Sequence, residues 1–131
     1  MAAVRERPTS PHLTIWRWGP GMAVSIIHRI SGAGLSVVGL ALLTWWLMAI
    51  AGGQEAYSTL AGMTSRWHGL VVLVGLTWAF FQHLFSGIRH LVMDTGMGFE
   101  LKANKAGAIA TILGSIAATA LLWAYWMGAF K

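Results

Sequence analysis

The sequence predicts an all-α integral membrane protein: a three-helix bundle with its N-terminus inside and an irregular N-terminal arm. Three observations carry this. The first is the spacing of charge. Ile30 to Gln54, Trp67 to Ile88 and Ala106 to Phe130 contain no Asp, Glu, Lys or Arg, and roughly 20 mostly apolar residues suffice to span a bilayer. The second is composition. Charged residues make up 10% of the chain and hydrophobic ones 56%, against about 25% charged in an ordinary soluble domain; the mean hydropathy is +0.64. The third is the distribution of the basic residues. Arg5, Arg7, Arg17 and Arg29 stand before or at the start of the first run, and Arg89, Lys102 and Lys105 surround the second loop. The opposite side has only Arg66 and Lys131. The positive-inside rule then puts the N-terminus on the cytoplasmic or matrix side of a bacterial or mitochondrial inner membrane. The net charge of +5 reads as this topology signal rather than as nucleic-acid binding.

Residues 1–20 form the arm. Pro8, Pro11 and Pro20 and the lack of apolar periodicity argue against a helix there, and no apolar core marks a cleaved signal peptide. The membrane domain, 21–131, carries spans at about 21–51, 67–94 and 106–128. Gly52-Gly53 stops the first, and a short outer loop over 52–65 holds Gln54, Glu55 and Tyr57. Gly96 and Gly98 break the second. Trp16, Trp18, Trp67, Trp123 and Trp126 lie near run ends, as interfacial anchors do. The third span, mostly Ala, Leu, Ile and Gly, reads as packing, with Thr111, Ser115 and Thr119 bonding back to their own helix. The chain has no cysteine, which excludes disulfides and thiolate metal sites.

The polar residues inside the spans carry the chemistry. At 100° per residue, Ser25, Arg29, Gly32, Ser36 and Gly39 share one face of the first helix, with His28 about 60° to the side. His83, Gly87, His90 and Asp94 share a face of the second. His83 lies 16 residues beyond Trp67, roughly 24 Å along the axis, in the inner half of the membrane. Arg29 also lies at the inner end, so the two stripes can meet. Two readings stand for each. Arg29 snorkels to lipid phosphates, or it joins Ser25 and His28 in holding a quinone carbonyl or the propionates of a haem. His83 packs across helices, or it serves as an axial ligand to haem iron, with Gly87 leaving room for the macrocycle. No second histidine is expected at the depth of His83. A second axial ligand is therefore expected from another polypeptide, and His68, near the outer end, does not support a second haem.

Three segments in order, RPTSPHLTIW (7–16), SIIHRISG (25–32) and HLFSGIRHLVMD (83–94), make the chain resemble the cytochrome b556 membrane-anchor family of succinate dehydrogenase. The likeness covers nearly the whole chain. It implies a four-part complex in which a flavoprotein subunit oxidises succinate and an iron–sulfur subunit carries the electrons inward. Two membrane anchor subunits there form the ubiquinone site and share one haem b. On the resemblance His83 is this chain's axial ligand, with the other from the partner anchor chain. Ser25 and Arg29 line the quinone site, His28 and Arg29 reach the haem propionates, and the SPHL arm lies against the iron–sulfur subunit. Trp16 stands where the family often has tyrosine, and Met93 where tryptophan often precedes the aspartate. The anchor of a fumarate reductase and a small non-haem transport or binding module are the alternatives.

Overall fold

The computed structural model describes Thr14 and residues 17–128. The expected arm therefore lies outside the described residues apart from Thr14 and residues 17–20. Within them the chain is all-α, with three helices long and apolar enough to cross a membrane.

The first, α1 (Pro20–Ala51), opens with Pro20 at its first position, where a missing N–H loses nothing and the fixed φ already suits a helix. Its middle, Leu35–Gly39, is a π-helical turn. There the Leu40 N–H reaches back five residues to Leu35 O. A π turn fits an extra residue into the helix, so the 100° count slips, and residues beyond it no longer share the face predicted from those before it.

Gly52-Gly53 ends α1, and Gly53 adopts φ +83°, a left-handed conformation open to glycine without steric penalty. The segment read as a loop is in fact a second helix, α2 (Gly53–Thr64). Ser58 and Thr59 bond back to Glu55 O, and Glu55 sits in the first turn, where a negative charge suits the helix dipole. The sequence hid this helix because it is short, polar and glycine-flanked. Then α3 (Trp67–Asp94) returns across the bundle and ends before Gly96 and Gly98, both at positive φ. The last helix, α4 (Leu101–Trp126), begins in the polar segment ahead of the third charge-free run.

The bundle is polar within and apolar without. Among the described residues the buried apolar ones are Val24, Ala49, Leu60 and Ala108, two of them alanines, while Ser31, Gln82, Ser86, Thr111, Ser115 and Thr119 are buried too. Large side chains such as Val71, Leu91 and Leu113 face outward, each more than 60% exposed. In lipid there is no hydrophobic force between helices, so small and hydrogen-bonding residues hold them together. Between α3 and α4, Ser115 Oγ lies 2.8 Å from Gln82 Oε1 and 2.8 Å from Ile112 O. Trp123 Nε1 donates to Thr77 Oγ1 at 3.3 Å, and Arg89 donates to Asn104 Oδ1 at 3.0 Å. Thr111 and Thr119 bond back to Ala108 O and Ser115 O as expected, but Ser115 also joins α4 to α3.

Candidate functional site

The site forms where α1 crosses α3. His28 and His83 stack, with ring centroids 4.0 Å apart and planes 9° from parallel. His90 lies on the other side, its centroid 5.2 Å from that of His28 and its plane tilted by 54°. His83 and His90 are seven residues apart on α3, about 10.5 Å along the axis, and the His28 ring fills the interval. Gly87 faces the His28 ring, and a Cβ there would make ordinary contact with His28 Cε1 at 3.8 Å. The space read from the sequence as room for a macrocycle is thus occupied in part by His28.

The depth expected for His28 also changes. His83 was positioned by counting from Trp67, and His28 only by where the charge-free run begins. Their stacked rings put both at one level. Face-to-face imidazoles cannot bind one iron from opposite sides, however, because axial nitrogens must point at each other across the metal.

His83 is tied to α1 through one ring nitrogen. Its Nδ1 lies 3.1 Å from the main-chain oxygen of His28 and 3.4 Å from Ser31 Oγ; Ser31 Oγ itself donates to His28 O at 3.0 Å. A carbonyl oxygen only accepts, so the proton of a neutral His83 belongs on Nδ1 and its Nε2 keeps a lone pair. Among the described residues nothing hydrogen-bonds Nε2. Gly32 provides the close approach: a Cβ at this position would sit 2.8 Å from His83 Cε1.

The face of α1 that meets α3 is therefore Val24, His28, Ser31 and Gly32, of which Val24 and Ser31 are buried. The stripe predicted from the sequence straddles that contact. Gly32 belongs to it, Ser25 is half-buried, and Arg29 and Ser36 are exposed, turned away from this chain's own helices. Ser31 was missed, although its burial follows from standing three residues after His28. Elsewhere, His68 lies at the opposite end of the bundle, edge-on to Trp67 at 5.6 Å, and Asp94 is exposed at the end of α3. Among the described residues His28 Nδ1 is enclosed without a partner, as are Gln82 Nε2 and Ser86 Oγ.

Among the described residues no three His, Asp or Glu side chains converge on a metal position. A haem asks less of a single chain: one neutral imidazole with its far nitrogen secured and its near nitrogen free. His83 meets that requirement.

Comparison with known proteins decides the family. Residues 3–122 match the family described as succinate dehydrogenase/fumarate reductase transmembrane subunit. The chain belongs to this family. It is 38% identical over 111 residues to the succinate dehydrogenase cytochrome b556 subunit of Paracoccus denitrificans, covering 85% of each chain. It is 36% identical over 118 residues to the cytochrome b556 subunit of Rickettsia conorii, covering 90% of this chain and 91% of that one. The mitochondrial cytochrome b560 subunit of Homo sapiens is 32% identical over 111 residues, 82% of this chain and 65% of its own length. As in its family description, the three apolar helices of the chain mark it as a transmembrane subunit.

Proposed function

We propose that this chain is the haem b-binding membrane anchor of a succinate dehydrogenase, helping to form the site at which ubiquinone is reduced. The observation that carries the proposal is the state of His83. Its imidazole is held by α1 through Nδ1, which leaves the Nε2 lone pair, without a hydrogen bond among the described residues, available to a metal. The His28 ring, stacked on His83, is not placed to oppose it across a metal, and a second anchor chain would supply the other ligand. A three-helix chain with so little apolar interior suits such a partner.

The chain's own residues then divide the work. Arg29, exposed on the outer flank of α1, presents a permanent cation to the quinone oxygen on which negative charge develops, the role of a preorganised donor. Ser25, one turn away on the same helix, donates a hydrogen bond to a quinone carbonyl and helps pass a proton. His28 reaches a propionate only through Nε2, since its Nδ1 is enclosed; Arg29 supplies the charge that a carboxylate prefers. When bound, haem b supplies a reversible one-electron store beside the quinone. The end of the bundle carrying Arg17, Arg89, Lys102 and Lys105 faces the cytoplasm or matrix, where the iron–sulfur subunit docks and relays electrons from the flavoprotein. The SPHL segment assigned to that contact lies outside the described residues.

The test is a reduced-minus-oxidised spectrum of membranes carrying this chain with and without its partner anchor. A b-type signal that needs both chains, and is lost or shifted in His83→Ala, is expected. An unchanged signal in an assembled His83→Ala complex would remove the ligand assignment. Arg29→Ala is expected to impair quinone reduction while sparing succinate oxidation by a soluble artificial acceptor. Equal loss of both activities in an assembled complex would refute the quinone role.

A further inference from the structure

The contacts on the far nitrogen of His83 point to residues that the functional reading does not use. We infer that Ser31, Gly32 and the main-chain carbonyl of His28 form a cradle on α1 that sets the plane and polarisation of the His83 imidazole, and through it the haem potential. The inference rests on the reading of His83 as the haem ligand. Ser31 and Gly32 act as positioning residues.

An imidazole turns broadly about its Cβ–Cγ bond, so a ligand ring needs outside contacts to hold one plane. Three are present. The His28 carbonyl takes Nδ1–H at 3.1 Å, the His28 ring covers one face at 4.0 Å, and Gly32 admits the Cε1 edge to a distance that any Cβ would forbid. All three come from five consecutive residues of one helix, so displacing α1 by one residue would break every contact together.

Ser31 has a distinct part. Its hydroxyl is nearer to His28 O, at 3.0 Å, than to His83 Nδ1, at 3.4 Å. The longer separation exceeds the usual range for such a bond. Ser31 and His83 therefore draw on the same carbonyl, which has two lone pairs and must also serve the helix. Sharing weakens the bond from His83. A weaker Nδ1–H···O bond leaves the imidazole less electron-rich, and an electron-poorer axial ligand favours reduced iron.

The two residues thus have opposite signatures. Gly32→Ala pushes the ring off the carbonyl, which raises the haem midpoint potential and weakens haem retention by roughly tenfold or more. Ser31→Ala releases the carbonyl to His83 alone and lowers the potential. Gly75→Ala, on the same helix as His83 but with open space around an added Cβ, serves as the control. General loosening of the bundle would move both variants in the same direction.

The experiment is a potentiometric titration of the b-type absorbance in the purified complex, with low-temperature electron paramagnetic resonance of the oxidised haem to read the axial ligand planes. A raised potential with an altered resonance in Gly32→Ala, and a lowered potential in Ser31→Ala, is the expected result. Native potentials and resonances in both would overturn the inference, and shifts of the same sign would overturn the part given to Ser31. If Gly32→Ala does not assemble, a potential in Ser31→Ala that is unchanged or raised is sufficient to overturn it. His83→Ala, measured alongside, separates the two levels: native haem in that variant defeats the ligand reading itself, whatever the α1 variants do.

Discussion

Replacing Ser115 with alanine should destabilise the bundle more than replacing Gln82 with leucine, although the two side chains share one contact. Ser115 Oγ approaches both Gln82 Oε1 and Ile112 O, but a hydroxyl has one proton. Turning the Gln82 amide about its terminal bond resolves this: its NH2 donates to Ser115, and Ser115 donates to Ile112 O. Gln82 is fully buried, and Ser115 is its one side-chain partner among the described residues. Ser115→Ala therefore strands a whole amide away from water, at about 1–3 kcal/mol for an unsatisfied buried group. Gln82→Leu removes that amide together with its unpartnered end, while Ser115 keeps its bond to Ile112 O. Its expected cost is below about 1 kcal/mol, since replacing a polar group by an apolar one of similar shape approaches neutrality. Polar contacts between transmembrane helices average about 0.6 kcal/mol and reach about 1.7, which bounds the coupling in the double variant. Denaturant titration of the detergent-solubilised protein, with all four members of the cycle, measures these quantities. A Gln82→Leu cost equal to or above that of Ser115→Ala would refute the reasoning.

Three further outcomes follow from the geometry. Gly53→Ala places a side chain at φ +83° and should cost about 1–2 kcal/mol, read as a lowered thermal midpoint with an unaltered haem spectrum. Asn104→Ala removes the acceptor of Arg89, loosening the basic end of α3 against α4. Faster amide exchange confined to that end is expected, and exchange unchanged there would argue against the contact. Trp123→Phe loses the bond to Thr77 and should cost under about 1 kcal/mol in the same denaturant assay.

The number of spans was legible because it depends on the quantity a sequence displays most directly, runs of residues without charge, although the third helix begins at Leu101, ahead of its run. His83 drew attention in the sequence because an imidazole so far into an apolar span needs a reason, and the structure sets it against α1. What the sequence concealed was phase and partnership. The π turn at Leu35–Gly39 leaves no mark in an apolar run, yet it puts the residues beyond it out of register with those before it. The depth of His28 relative to His83 depends on how two helices slide past one another, and counting residues along one helix cannot fix that. Gly87 shows the same limit. Its small size was noticed, but whether it admits a cofactor or a neighbouring histidine is decided by the opposing helix. Ser31 and Gln82 were missed because a serine and a glutamine in a membrane helix so often bond only to their own backbone.

The crossing of α1 and α3 gives two consecutive residues opposite duties. His28 turns inward onto His83, while Arg29, the next residue, is exposed on the flank that this chain leaves uncovered. On the proposed assignment, the iron ligand and the quinone-facing cation stand on either side of one helix, whose diameter with side chains is about 10–12 Å. No flexible segment separates them; the same helical turn fixes both. A change that displaces α1, such as Gly32→Ala against His83 Cε1, should then disturb the haem and the quinone site together. Arg29→Ala removes only a side chain on the outer flank and should leave the ligand geometry of His83 as it is. Comparing the haem resonance in these two variants distinguishes a helix that couples the sites from two sites that are merely neighbours.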